Sequence, residues 1–230
     1  MVVLYTTGVR FDTDKLVHEL PLTDSIIKIE KQGVLRRGES KKDRIKHRKV
    51  VETTKRTTGF GHNSITLVLL SDGDGTLLKK EITVKIFQNG VFHITGVLDE
   101  LYDRHAVNYL KDHIVNNCPT SVISGDWSNM SRRVVLMNYK TKMRGTDNIS
   151  RETLHSNLRK FGFKTNYEPA VYPAVKIYFP DKKWIAKVFR TGQIILTGMT
   201  SAEECLELRQ TLERVLISCA MPSQSIPMRA

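Results

Sequence analysis

Cysteine is scarce in this chain: Cys118, Cys205 and Cys219 are its three. None stands in a Cys-x-x-Cys spacing or beside a cluster of other ligands, so reduced intracellular thiols are the expected state. Long apolar runs are missing too. The opening MVVLYTTGV is too short and too polar to span a bilayer, and neither a signal peptide nor a transmembrane segment is indicated. There is no HExxH, no phosphate-cradling glycine loop and no paired-carboxylate site, so no enzyme, metal or cofactor is expected. The acidic stretch SDGDG at 71–75 lies between strand candidates and reads as a hairpin loop. Acidic residues are in deficit: 24 Asp and Glu face 36 Lys and Arg, a formal charge of +12. Such an excess suits a polyanion, although an anionic membrane or an acidic protein would satisfy it as well.

What is present is a repeat. VKIFQNGVFHITG at 84–96 and AKVFRTGQIILTG at 186–198 align at an offset of 102, sharing Lys, Phe, Gly, Thr and Gly. Each reads as a strand, a tight turn closed by glycine, and a second strand. Helical segments follow both, at 101–115 and 202–217, the latter with Leu206, Leu208, Leu212, Val215 and Leu216 on one side. Upstream, MVVLYTTGV precedes a short helix at 14–20, and RRVVLMNYK precedes a helix at 150–161 that Ser150 can cap. Strand candidates at 64–70 and 174–179 complete the match. The expected organisation is a first repeat over 1–118 carrying a basic insert at 31–62, a connecting segment at 119–130, a second repeat over 131–219, and a tail at 220–230. Period-two geometry puts Lys85 on the face of Phe87 and Lys187 on the face of Phe189, with Phe92 on the opposite side from His93 and Thr95. A lysine aimed into an apolar core is costly, so this face is expected to be open. The insert holds eleven Lys or Arg against Glu39, Asp43 and Glu52, two-thirds of the net charge of the chain. Flexible positive residues there, among them Arg36, Arg37, Lys41, Lys42, Arg44, Lys46, Arg48 and Lys49, are candidates for phosphate contact; the other readings are an acidic partner and a solvated loop.

The second half carries a resemblance. NYEPAVYPAVKIYF at 166–179 followed by WIAKVFRTGQIILTG at 184–198 resembles the core of the TATA-box-binding proteins, and the first half keeps IFQNG at 86–90 and HITG at 93–96. The resemblance extends over nearly all of 1–219. It implies an α+β fold: a duplicated saddle, an antiparallel curved sheet with helices on the convex face. It also implies minor-groove binding and bending of double-stranded DNA, A/T-rich in preference, in transcription initiation. The aromatic wedges implied are Phe87 and Phe189, with Tyr172 as the partner of Phe189 and Phe60 as a candidate partner of Phe87. Groove contacts implied or added on the same face are Lys85, His93, Thr95, Asn138, Lys187 and Thr197; the first-half counterpart of Asn138 falls at or before Met1. Glu168 and Val171 match the loop that receives a TFIIB-like factor, and RNA polymerase machinery would follow.

Departures are visible. Val91 and Gln193 stand where the family has lysine after the hairpin glycine, and each lost phosphate contact lowers affinity and its salt dependence. The divergence suggests the version of a large DNA virus, in the nucleus or in a viral replication compartment of the host cytoplasm. The alternative function is a transcription-associated interaction module with weak or absent bending; exposed aromatics and lysines would also suit single-stranded nucleic acid.

Overall fold

A computed structural model describes residues 1–46, 63–142 and 149–220. Phe60, Arg48 and Lys49 lie outside the described residues, and of Lys46 only the backbone is described. The chain forms two compact units, 1–135 and 136–230.

Unit 1 contains β1 (Val2–Thr6), β2 (Val9–Phe11), α1 (Thr13–Glu19), β3 (Ile26–Lys31), β4 (Leu35–Gly38), α2 (Lys41–Lys46), β5 (Ser64–Ser71), β6 (Lys80–Phe87), β7 (Val91–Thr95), α3 (Glu100–Asn117) and β8 (Val122–Gly125). Strand β9 (Ser131–Lys142) gives its first residues to unit 1 and the rest to unit 2. Unit 2 continues with α4 (Arg151–Lys160), β10 (Thr165–Asn166), β11 (Val175–Phe179), β12 (Trp184–Val188), β13 (Gln193–Met199) and α5 (Ala202–Ala220).

In unit 1 the antiparallel order is β1-β7-β6-β5-β3-β4, and in unit 2 it is β10-β11-β12-β13-β9. Alternation decides which face is covered. Along β6 and β7 the residues Ile82, Val84, Ile86, Phe92 and Ile94 are buried while those between them are half-buried, and β12 buries Trp184, Ala186 and Val188 in the same rhythm. Helices cover the buried face: Leu16, Val17, Ala106, Val107, Leu110 and Ile114 join the core of unit 1, and Leu154, Leu158, Leu208, Leu212 and Leu216 that of unit 2. Each fully buried large side chain contributes about 1.5–3 kcal/mol. The α+β class is thus as expected, each sheet having one helix-covered face and one open face.

Helix ends follow their side chains. Asp12 accepts from the amides of Asp14 and Lys15 to start α1, Asp99 accepts from Leu101 to start α3, and Ser150 accepts from Thr153 to start α4. The SDGDG stretch is the hairpin loop expected, joining the fully paired β5 and β6. The stretch 119–130 adds to unit 1: β8 pairs with β2, and Trp127 packs its ring 5.8 Å from Phe11 and 6.1 Å from Phe92. Strands of three or four residues are too short to announce themselves by periodicity among turn-forming residues, so β2 and β8 escape the sequence reading. No helix among the described residues is long and apolar enough to cross a membrane.

Candidate nucleic-acid interface

The aromatic side chains take their places from turn geometry. In unit 2 the amide of Gly192 donates to Phe189 O at 3.0 Å, and the amide of Phe189 donates to Gln193 O at 2.9 Å, closing the β12–β13 hairpin. The matching turn in unit 1 has the Gly90 amide donating to Phe87 O at 2.9 Å. Gly90 has φ 81° and Gly192 φ 75°, the left-handed region. A Cβ on Gly90 would also come within 1.8 Å of Val9 O, so no other residue fits. Each repeat therefore needs glycine three residues after its phenylalanine, and the pair of residues is duplicated together.

Phe87 and Phe189 belong to neither hydrophobic cluster and are half-buried. Beside each is a shallow hollow: one of about 230 Å³ lined by Arg10, Asn63, Phe87, Gln88 and Asn89, the other of about 290 Å³ lined by residues including Lys140, Phe189, Gln193 and Ile195. Tyr172 is held by a turn in which the amides of Val171 and Tyr172 donate to Glu168 O at 3.0 and 2.8 Å. Its ring lies 6.0 Å from that of Phe189 at 61°, an edge-on pair. The two aromatics expected to act together in unit 2 do meet.

Register assembles the rest of the open face. In unit 2, Asn138 opposes Thr197 and Thr197 opposes Ile185; the next row is Lys140, Ile195, Lys187, Lys176. The Thr197 hydroxyl donates to Asn138 Oδ1 at 2.6 Å, leaving the Asn138 amide nitrogen as a donor that this bond does not use. Gly198, at φ 103°, then shifts the β13–β9 register, so the threonine is the last residue of the regular ladder. In unit 1, Val2 opposes Thr95, Thr95 opposes Thr83, and Leu4, His93, Lys85 and Thr66 form the adjoining row. The counterpart of Asn138 is therefore present, as Val2, rather than absent from the chain. The two faces remain unequal because valine offers no hydrogen bond. Burial, with Lys85 nearby, pushes the His93 imidazole below its ordinary value, which favours the neutral ring.

The described part of the insert holds regular structure, β4 and α2. Arg37 Nη2 donates to Val17 O and Leu20 O, both at 2.7 Å, closing the C-terminal end of α1 on the helix-covered side of the sheet. That engagement takes it away from phosphate contact. Arg36 lies 3.0 Å from Asp43. Lys41, Lys42 and Arg44 are exposed on α2. The helix itself sits on the open face. Lys28, opposite Val68 in register, ion-pairs with Asp43 of α2 at 3.1 Å and with Glu30 at 2.7 Å, and the Lys41 amide donates to Glu81. Val68 is 6%, Lys28 7% and Asp43 8% exposed, although Val68 and Lys28 point away from the core. Burial alone would raise the Asp43 carboxyl; hydrogen bonds from Ser40 and Lys28 overcome it and hold the group well below the usual range. Part of the open face of unit 1 is thus roofed by its own insert, a feature that a charge count cannot reveal. Glu168 accepts from Asn166 Nδ2 at 2.8 Å, and Val171 beside it is 77% exposed. Lys176 and Lys140 were missed by the sequence reading, although the alternation VKIYF already puts Lys176 and Tyr178 on one face.

Comparison with known proteins agrees with this geometry. The structure of the TATA-binding protein of Methanococcus jannaschii superposes with a TM-score of 0.62 over 94% of this chain and 95% of that one, at 14% sequence identity. This is the TATA-binding-protein fold. A family model described as transcription factor TFIID, or TATA-binding protein, matches residues 148–219, most of unit 2. Among curated proteins no sequence matches. No finding supports the viral origin that the divergence suggested. Within the TATA-binding-protein fold, the sequence signature is concentrated in unit 2, where the Tyr172–Phe189 pair and the lysine row stand.

Proposed function

We propose that the chain binds double-stranded DNA through the minor groove and bends it, as a non-catalytic factor in transcription initiation. The observation that carries this reading is the duplicated open-face set: Phe87 with Lys85 and Thr95 in unit 1, and Phe189 with Lys187 and Thr197 in unit 2, each phenylalanine beside a hollow. Phe87 and Phe189 are the wedges, and Tyr172 supports Phe189. Thr95, Thr197 and Asn138 meet minor-groove acceptors, which distinguish A·T from G·C pairs better than A·T from T·A. Lys41, Lys42 and Arg44 face phosphate from α2. Deforming a short duplex costs about 1–6 kcal/mol, and stacking on the wedges offsets it at about 1–3 kcal/mol per base. Glu168 and the exposed Val171 are the contact for a TFIIB-like factor.

A second reading, an interaction module that bends DNA weakly, draws on the roof that α2 makes over Val68 and Lys28. Energy transfer between dyes at the ends of short A·T-rich and G·C-rich duplexes separates the two. Shortening that favours the A·T-rich duplex supports groove insertion; binding without shortening supports the second reading.

A further inference from the structure

In unit 2, Lys176 of β11 and Lys187 of β12 stand directly opposite each other in register. Like charges in that arrangement are unfavourable, and folding of the sheet gains nothing from them. Both ammonium groups lie over one ring: Lys176 Nζ is 5.0 Å and Lys187 Nζ 5.8 Å from the centroid of Tyr172. The π-face softens the repulsion without supplying a counter-charge. Lys140 continues the same row across Ile195. Among the described residues no carboxylate pairs with Lys176 or Lys187; Asn166, opposite Lys176 at the end of the row, donates to Glu168. Unit 1 has no such pair, because Thr66 opposes Lys85.

We propose that Lys176 and Lys187 form a clamp for nucleic-acid phosphate beside the Tyr172–Phe189 pair, making unit 2 the half that anchors the complex. The inference rests on the DNA-binding reading above and adds which half holds the backbone and with which residues. An anion between the two ammonium groups removes their repulsion, so the clamp is at higher free energy when empty. The free protein and the complex must therefore respond in opposite directions to loss of one lysine.

The test uses the full chain, a short A·T-rich duplex, and one of its strands alone. Lys176→Gln is expected to raise the melting temperature of the free protein and to lower the slope of log K against log salt by about 0.9 on the duplex. Lys176→Arg keeps the charge and is expected to keep the slope. Lys85→Gln is expected to lower the slope without raising the melting temperature. If wild type bends the duplex and Lys176→Gln leaves the slope unchanged, the clamp is wrong and the minor-groove reading stands. If Lys176→Gln reduces the slope equally on the single strand, and wild type shows no preference for duplex, the clamp stands and the minor-groove reading falls. A lower melting temperature for Lys176→Gln refutes the repulsion on which the clamp depends, and binding to neither probe refutes both proposals.

Discussion

Units 1 and 2 share a strand pattern and differ in what their cations do. In unit 1 four of them are held by the protein itself: Lys28 by Asp43 and Glu30, Lys31 by Asp14 and Thr13, Arg37 by the end of α1, and Arg132 by Asp103. In unit 2 the pair Lys182–Glu207 is half-exposed, and the lysines of the open face stand against one another. One scaffold thus holds positive charge in two ways, in internal ion pairs and in an opposed pair on an open face. Counting Lys and Arg along the chain ranks the insert of unit 1 highest, whereas the opposed lysines of the open face stand in unit 2.

The comparison is broken most forcefully at Arg132. Its guanidinium holds the fully buried carboxylate of Asp103 through Nε at 2.7 Å and Nη2 at 3.1 Å, and Tyr5 donates to the same carboxylate at 2.7 Å. Arg132→Met is expected to destabilise unit 1 by about 3–5 kcal/mol, because it strands a buried charge. Urea unfolding followed by amide exchange in each unit reads this, and equal loss of protection in both units would end the idea that the ion pair serves unit 1 alone.

Next come the two phenylalanines proposed as wedges. Phe189→Ala is expected to weaken A·T duplex binding about 10- to 100-fold, in line with about 1–3 kcal/mol for a stacked base. Phe87→Ala should cost less, since no described aromatic pairs with it. Titration of both variants under one salt condition checks the order, and the reverse order would make unit 1 the anchoring half.

Asp43→Asn sharpens the contrast at α2. Asparagine keeps the shape and some of the hydrogen bonds of Asp43, so the expected loss of stability is about 1–3 kcal/mol. The folded carboxyl titrates below its unfolded value of about 3.9, so its contribution is complete above that pH and declines as pH falls further. Wild type should show an acid limb of instability beginning below about pH 4, and Asp43→Asn should flatten it in thermal melts across that range.

The smallest effect is at His93. Its lowered folded value means that the unfolded chain takes up a proton first as pH falls below about 6.5, so stability decreases slightly from there. His93→Gln should remove that shallow decline, and duplex binding should change little between pH 7 and 8. A binding change in that window would mean that the imidazole is charged in the complex.

The sequence made the repeated hairpins legible because their glycines and alternating residues are required locally: the left-handed turn at Gly90 and the burial of Phe92 leave few alternatives. Helix starts were legible for the same reason, as Ser150 shows. What alternation cannot supply is register. That Lys176 meets Lys187, that Val2 stands where Asn138 does, and that Asp43 reaches back to Lys28 are facts about which strands and helices come together. Arg37 lies in a basic run and reads as a phosphate ligand until its two carbonyl partners are seen.

Strand β9 carries one more implication, for the order in which the molecule is made. Domains generally fold as they leave the ribosome, the N-terminal one first. Asp103 emerges well before the arginine that neutralises it, with the whole of β8 and Trp127 between them. The first unit can therefore complete this ion pair only once residue 132 has emerged, and until then Asp103 has the Tyr5 hydroxyl as its earlier-made partner.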